Sequence, residues 1–134
     1  MNDPAARVRE LFGRDRYAAR LGMQLIDDDP HHIVVDMPVT QDHENFYDVT
    51  HGGAMFSLAD CAFALASNAA GDRAVAIDTH LVLTAGTRRG DVLSAVAEEA
   101  TRGRRLGTYR ITVTRRDGRV CGLFTGTVHI TPAS

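Results

Sequence analysis

Apolar residues recur along the chain with two periods, that of a helix near the start and mainly that of strands afterwards. An Asp-Pro cap signal at residues 3–4 is followed by apolar positions at helical spacing as far as Gly22, so we predict one short amphipathic helix in this interval. Residues 23–40 predict two strands on either side of an acidic turn at 27–30. Residues 41–50 are polar and predict a loop.

The segment from Gly52 to Ala70 is apolar on nearly every side. This pattern predicts a buried central helix, about 28 Å long at a rise of about 1.5 Å per residue. A membrane span is not favoured, because Asp60 would lie near its middle and would cost roughly 2.5–3.5 kcal/mol on insertion. We therefore expect this helix to be buried within the protein itself.

Four further segments predict strands, at 75–83, 92–100, 108–114 and 120–130, and alternation is clearest in the first and third. The Asp-Gly pair at 117–118 is a hairpin signal between the last two. Gly122 and Gly126 lie on one face of the last segment, which predicts a sheet that bends closely around another element. Sequential hairpins favour antiparallel pairing. We predict an α+β fold in which an antiparallel sheet of five or six strands wraps around one long central helix.

The composition narrows the class of protein. A length of 134 residues with 44% hydrophobic residues predicts a single globular domain over residues 1–134. The net charge of −2 argues against a nucleic-acid binder, and the lack of lysine excludes a Schiff-base or P-loop lysine. Cys61 and Cys121 lie in apolar segments without CxxC spacing, and the first residues lack a signal pattern. We expect two reduced thiols in a cytoplasmic protein without a membrane partner.

Asp60 is the only charged residue between His51 and Asp72, in a helix predicted to be buried. An isolated buried carboxylate is costly unless it has a partner, a proton or a chemical role. One interpretation is a structural aspartate that reaches a polar patch at a helix or subunit junction. The other, which we favour, is a carboxylate that acts as a general base or a nucleophile.

The tripeptide His51-Gly52-Gly53 begins this helix. Free N–H groups at a helix N-terminus attract negative charge, and glycine allows a ligand to approach the backbone, so this end could polarise a carbonyl oxygen. A flexible helix start without a ligand is the alternative. His51 and Asp60 are separated by about 13 Å of rise and about half a turn, so they cannot share one carbonyl within a chain. If both act together, two chains build the site, which predicts at least a dimer.

The run HGGAMFSLAD over residues 51–60, with Asn45 six residues before its histidine, resembles the hotdog-fold thioesterases. It is most similar to the phenylacetic-acid-degradation (PaaI-type) group, and the resemblance covers nearly the whole chain. It implies an antiparallel sheet wrapped around the long helix, paired in dimers and often in tetramers. It also implies an acyl-CoA substrate and no cofactor, because coenzyme A is part of the substrate.

The resemblance implies a role for each matching residue. Asp60 would activate water or attack the thioester carbon directly, and the Gly52 N–H would polarise the thioester oxygen. Asn45 would help to position the substrate or water, and His51 would support the loop and the carbonyl end. Some relatives carry a serine near Ala76, so a hydroxyl that assists the nucleophile from that position is absent here.

The acyl and nucleotide parts of such a substrate have separate candidate sites. The resemblance and a mixed apolar and polar lining near Asp60 favour phenylacetyl-type or medium-length acyl groups. Two arginine runs between strands are either solvated turns or contacts to coenzyme A phosphates, which arginine binds bidentately. The lining candidates are Gly53, Phe56, Ser57 and Phe63, and the arginines are Arg88, Arg89, Arg102, Arg104 and Arg105.

Other chemistries have less support. The six histidines lack metal-ligand spacing, and solvent exposure or a local pair explains Asp78 and His80 equally well. Neither a Gly-x-Ser-x-Gly elbow nor the Asp-x-Asn-Pro-x-His pattern of hotdog hydratases is present. We expect an acyl-CoA thioesterase. The alternative is a non-catalytic acyl-CoA-binding regulator or scaffold of the same fold, which would not need a carboxylate such as Asp60.

Overall fold

A computed structural model describes residues 3–133. Its helical segments are α1 (Pro4–Gly13), α2 (Arg16–Arg20), a 3₁₀ turn (Gln41–His43) and α3 (Gly52–Asn68). Its strands are β1 (Gln24–Asp29), β2 (His32–Pro38), β3 (Arg73–Leu83), β4 (Val92–Arg102), β5 (Leu106–Arg115) and β6 (Val120–Thr131).

The N-terminal segment contains two helices, where the sequence predicted one as far as Gly22. Helix α1 ends at Gly13, and Asp15 caps a second helix because its Oδ1 accepts the N–H of Ala18 at 2.9 Å. Asp15 is the N-cap residue of α2, and aspartate is favoured there because its side chain accepts a free N–H of the first turn. The chain therefore begins a second helix at this point. The break turns α2 toward the long helix, where Ala18 is buried.

The six strands form one antiparallel sheet in the order β1-β2-β4-β5-β6-β3. The predicted α+β architecture is confirmed. Strand β1 pairs with β2 through Asp29, so the turn predicted at 27–30 is confined to residues 30–31. The hairpin between β5 and β6 turns at Gly118, whose φ of 89° is a conformation that glycine adopts without strain.

Helix α3 packs against one face of the sheet and forms the centre of the core, as predicted. It ends at Asn68, two residues before the predicted end. No helix in the described part of the chain is long and apolar enough to cross a membrane. The inward residues of the neighbouring strands are fully buried, as their alternation predicted: Ile33, Val35 and Met37 on β2, and Tyr109, Ile111 and Val113 on β5.

Strand β3 differs from the other predicted strands because its apolar residues stay exposed. Val75, Ile77 and Leu83 are each more than half exposed. The strand lies at an edge of the sheet, and a bulge between Ala76 and Asp78 interrupts its pairing with β6. An edge strand with apolar, uncovered side chains is typical of a surface that another chain covers.

Candidate active site

The N-terminus of α3 is organised by His51, which caps the helix. The Nδ1 atom of His51 accepts the N–H of Gly53 at 2.7 Å. A Cβ on Gly53 would lie 2.9 Å from that same nitrogen, so only glycine permits this cap. The N–H of Gly52 has no acceptor among residues 3–133, and it is therefore available to an external oxygen. This end of α3 can bind an oxygen that carries negative charge.

The loop that precedes α3 folds back on itself and brings Asn45 close to the helix start. The Oδ1 atom of Asn45 accepts the N–H groups of Tyr47 and Val49 at 2.9 and 3.4 Å. The N–H of His51 donates to the carbonyl of His43 at 2.7 Å, which ties the two ends of the loop together. Asn45 is thus held beside the helix start, with its amide N–H₂ group free of these turn contacts.

His43 fastens this loop to the N-terminal helices, a role that the sequence did not indicate. Its imidazole is 4% exposed, its Nδ1 accepts the N–H of Thr40 at 2.9 Å, and its Nε2 lies 2.6 Å from the carbonyl of Leu21. Since Nδ1 is an acceptor, the ring proton is on Nε2 and donates to Leu21. The position of the helix start is therefore coupled to the end of α2.

One side of the otherwise buried helix α3 remains accessible, and we name it the open face of α3. It consists of residues at i, i+4, i+7 and i+11, which lie on one side of a helix. Gly53 and Ala64 are exposed, and Ser57 and Asp60 are half-buried. Small neighbours on either side leave the Asp60 carboxylate open to an incoming molecule. The members of the open face are Gly53, Ser57, Asp60 and Ala64.

The surroundings of Asp60 favour its protonated form more than water does. Burial raises the pKa of this carboxyl, and the negative charge of Asp15 raises it further. A carboxylate with a raised pKa is a stronger base once it has ionised, which suits proton abstraction. Asp15 was missed by sequence reasoning, because its proximity follows from the way α2 packs on α3.

Cys61, next to Asp60, is not a competing nucleophile. Its side chain is 6% exposed, and burial together with the charges of Asp15 and Asp60 raises the pKa of its thiol to about 12. A thiol with such a pKa carries almost no thiolate at neutral pH. Cys61 and Cys121 are both buried free thiols, as the sequence predicted.

Tyr17 on α2 is a second residue of this region that the sequence did not reveal. Its phenol oxygen lies 2.9 Å from Oγ of Ser57, one turn before Asp60 on α3. The Ser57 hydroxyl also lies 2.8 Å from the carbonyl of Gly53, to which it donates. Tyr17 as a whole residue is 62% exposed.

The two phenylalanines predicted to line the acyl site occupy different environments. Phe56 is half-buried, with its ring 5.5 Å from that of Phe124. Phe63 is 1% exposed and packs on Phe124 and Tyr109 in the core. Position 63 is on the sheet-facing side of α3, so the packing of this chain lends no support to the prediction that Phe63 lines the acyl site.

The predicted phosphate-binding arginines separate into engaged and free side chains. Arg102 donates to the carbonyl of Ser67 and the hydroxyl of Tyr109, at 3.0 and 2.7 Å, and its side chain is only 18% exposed. Arg89 forms a 2.6 Å ion pair with Glu44. Arg102 thus has internal partners, and its contact with a phosphate stays a prediction without structural support. The other three are exposed, and their side chains form no ion pair or hydrogen bond with residues 3–133: Arg88, Arg104 and Arg105.

Two remaining expectations concern β3 and metals. Ala76 is exposed on β3, and an alanine at that position supplies no hydroxyl. Asp78 and His80 are also exposed there. Over residues 3–133 no three His, Cys, Asp or Glu side chains converge closely enough to hold a metal ion.

The arrangement of a long helix in an antiparallel sheet, with a capped N-terminus and an open carboxylate, matches a known class of protein. The family model described as the thioesterase superfamily matches residues 47–122, which include all of α3. The chain belongs to the thioesterase superfamily, and it is a thioester hydrolase with the hotdog fold.

Individual relatives place it more closely within that family. Acyl-coenzyme A thioesterase PaaI of Escherichia coli K12 is 35% identical over 119 residues, which cover 89% of this chain and 85% of the relative. The structure of E. coli PaaI, from the phenylacetic acid degradation operon, matches with a TM-score of 0.92 at 32% identity over 98% of this chain and 96% of that one. A mutant of phenylacetic acid degradation protein PaaI from Thermus thermophilus matches at 0.82 and 37% identity, over 86% and 98%. Within the superfamily the chain is of the PaaI type.

Proposed function

We propose that the protein hydrolyses acyl-CoA thioesters and that Asp60 is its catalytic carboxylate. The observation that carries this proposal is the half-buried carboxyl on the open face of α3, which has a raised pKa and forms no ion pair with any of residues 3–133. As a general base, Asp60 takes a proton from water while the water oxygen attacks the thioester carbon. As a nucleophile, its own oxygen attacks first, and water then hydrolyses the resulting anhydride. The thiolate leaves in either case and requires no strong acid, because thiols have pKa values of about 8.5.

The N–H of Gly52 is the proposed donor to the thioester oxygen. It faces no acceptor within the described chain, and the cap from His51 fixes the first turn of α3 around it. Preorganised donors of this kind are worth about 2.7–4 kcal/mol of transition-state stabilisation. Asn45, held beside the same helix end, positions the substrate or the attacking water through its free amide group.

The proposed site requires two chains. Gly52 and Asp60 are separated by about 12 Å of helical rise, so one carbonyl cannot contact both within a protomer. The open face of α3 and the apolar edge at Val75 and Ile77 are both uncovered in a single chain. A two-fold dimer would cover the apolar edge and bring the open face of one chain opposite the Gly52 of the other, so that the substrate binds between Asp60 and Gly52 of different chains. A tetramer built from such dimers is the assembly that we propose.

The proposed substrate has an aromatic or medium-length acyl group. The names of the E. coli and T. thermophilus relatives, which refer to phenylacetic acid degradation, support a phenylacetyl-type substrate. The exposed arginines Arg88, Arg104 and Arg105 are the proposed ligands of the coenzyme A phosphates, because their guanidinium groups have no partner in the described chain comparable to that of Arg102.

The test is release of free thiol from a panel of acyl-CoA esters by wild type and by Asp60→Asn. We expect the variant to keep its fold and oligomeric state and to lose about 10²–10⁴-fold in kcat. Glu10→Gln, the same change at an exposed carboxylate on α1, is the control and retains activity. A folded Asp60→Asn enzyme with wild-type turnover would refute the mechanism. Wild-type protein that binds these esters without hydrolysing them would favour the non-catalytic alternative.

A further inference from the structure

We propose that Tyr17 is a specificity-determining residue whose ring forms one wall of the acyl site beside Asp60 of the same chain. The proposal rests on the proposed function, since it concerns the acyl group of the same thioester. It assigns to the N-terminal segment a role in substrate selection, beyond its contribution to the core.

The placement of the ring follows from two helices that pack together. Helix α2 is anchored by Ala18, which is 1% exposed, and by the cap that Asp15 provides. Asp15 also approaches Cys61, with 4.0 Å between its Oδ2 and the Sγ atom. The docked side of α2 thus lies against α3 next to Asp60, and Tyr17 extends from α2 toward the open face.

The hydrogen bond between Tyr17 and Ser57 determines where the ring stands. The Ser57 hydroxyl has one proton, which it donates to the carbonyl of Gly53 at 2.8 Å. The phenol therefore donates to Ser57 Oγ, at 2.9 Å. Because Ser57 is three residues before Asp60, the phenol is fixed one helical turn from the carboxylate and on the same face of α3. The bond holds an exposed ring in one place at the margin of the open face.

The exposed part of the ring is a suitable contact for an acyl group. Tyr17 is 62% exposed although its hydroxyl is engaged, so its aromatic surface faces outward. An acyl carbon chain attached to a carbonyl at Asp60 would extend across small residues of the open face, Ser57 and Gly53, and meet this surface. Aromatic groups prefer edge-to-face or offset contact with such a ring. The wall therefore favours a phenyl-bearing acyl group over one too short to reach it.

The experiment compares kcat/KM for phenylacetyl-CoA and acetyl-CoA in four proteins: wild type, Tyr17→Ala, Tyr17→Phe and Ser57→Ala. In Tyr17→Ala we expect the ratio of phenylacetyl to acetyl kcat/KM to fall at least about fivefold, because acetyl is too short to reach the ring. Tyr17→Phe and Ser57→Ala keep the ring but remove its hydrogen bond, so we expect a smaller fall of about threefold in each. A variant that combines these two changes should equal either of them alone, since the same bond is lost in all three.

Ile26→Ala is the control, because it also removes an exposed apolar side chain, 57% exposed, but on β1. It should leave the ratio unchanged. An unchanged ratio in Tyr17→Ala would overturn the proposal, and if kcat/KM then falls equally for both esters, the ring has a structural role only. Wild-type protein that hydrolyses neither ester would instead refute the proposed function. These two failures are therefore distinguishable.

Discussion

The ring of Phe63 occupies the space that a side chain at Gly126 would need: a Cβ there would lie 2.7 Å from Phe63 Cζ. The central helix and strand β6 thus approach each other closely at a point where only glycine fits. The same Cβ would lie 2.9 Å from the ring of Phe124. Two aromatic rings with buried neighbours cannot both move aside, so this contact is a rigid part of the core.

We predict that Gly126→Ala lowers the free energy of unfolding by about 1–3 kcal/mol, the usual cost of overpacking. Gly13→Ala is the matched control, because a Cβ at the end of α1 meets nothing within 4 Å. It should be neutral or stabilising by up to about 1 kcal/mol, since alanine is the better helix former. Urea denaturation of both variants measures the difference, and equal stabilities would contradict the packing described.

A change at Asp15 should move the pH dependence of activity. The negative charge of Asp15 helps to raise the pKa of Asp60, which must be ionised to act as base or nucleophile. Activity therefore rises with pH through that pKa, and Asp15→Asn should shift the acidic limb of kcat/KM to lower pH. Asparagine keeps the helix cap on Ala18, so the fold is retained. Asp3→Asn, at the cap of α1, makes the same substitution elsewhere and should leave the limb in place.

The exposed arginines should affect substrate binding more than turnover. We expect Arg104→Glu combined with Arg105→Glu to raise KM for CoA esters, most at low salt, with kcat almost unchanged. Arg116→Glu, an exposed arginine of the β5–β6 hairpin, is the control. A short thioester without the nucleotide should be hydrolysed equally well by wild type, by the double variant and by the control variant. If that short ester suffers as much as the CoA ester, these arginines do not bind phosphates.

Complementation tests whether two chains build the site. Asp60→Asn and Asn45→Ala are each expected to be nearly inactive. When the two variants are refolded together, about half of the dimers are mixed, and one site in each mixed dimer has both intact residues, so about a quarter of all sites recover. Mixed dimers verified by mass but without recovered activity would show that both residues act within one chain.

Much of the fold is predictable from the sequence because each strand next to α3 has one buried face. Strand β5 alternates buried Tyr109, Ile111 and Val113 with more accessible residues, a pattern that has one interpretation. Strand β3 has the same apolar alternation, yet those residues stay exposed in one chain. The alternation indicates a face that is suited to burial, and it does not indicate whether the same chain covers that face.

The candidate site is only partly predictable, for two physical reasons. Helix α3 is apolar on nearly all sides, so the sequence could not tell that Phe63 faces the core while Phe56 is partly accessible. The contacts of Tyr17 and Asp15 with α3 join residues 40 or more positions apart and depend on how α2 docks. Asp60, in contrast, can be singled out from the sequence as a candidate site residue, because an unpaired charge in an apolar helix is costly.

The order of strands in the sheet has a consequence for the order of events during synthesis. Strand β3 leaves the ribosome before β4 and β5, but its neighbour in the sheet is β6, with Arg73 opposite Thr131 and Leu83 opposite Gly122. Until residue 131 has emerged, β3 has no complete strand to pair with, and its backbone N–H and C=O groups are available to any other nascent chain. Shortening the chain before residue 120 would leave β5 as an open edge and β3 without a neighbouring strand. The completion of β6 therefore decides when β3 gains its strand partner and stops being an unpaired segment.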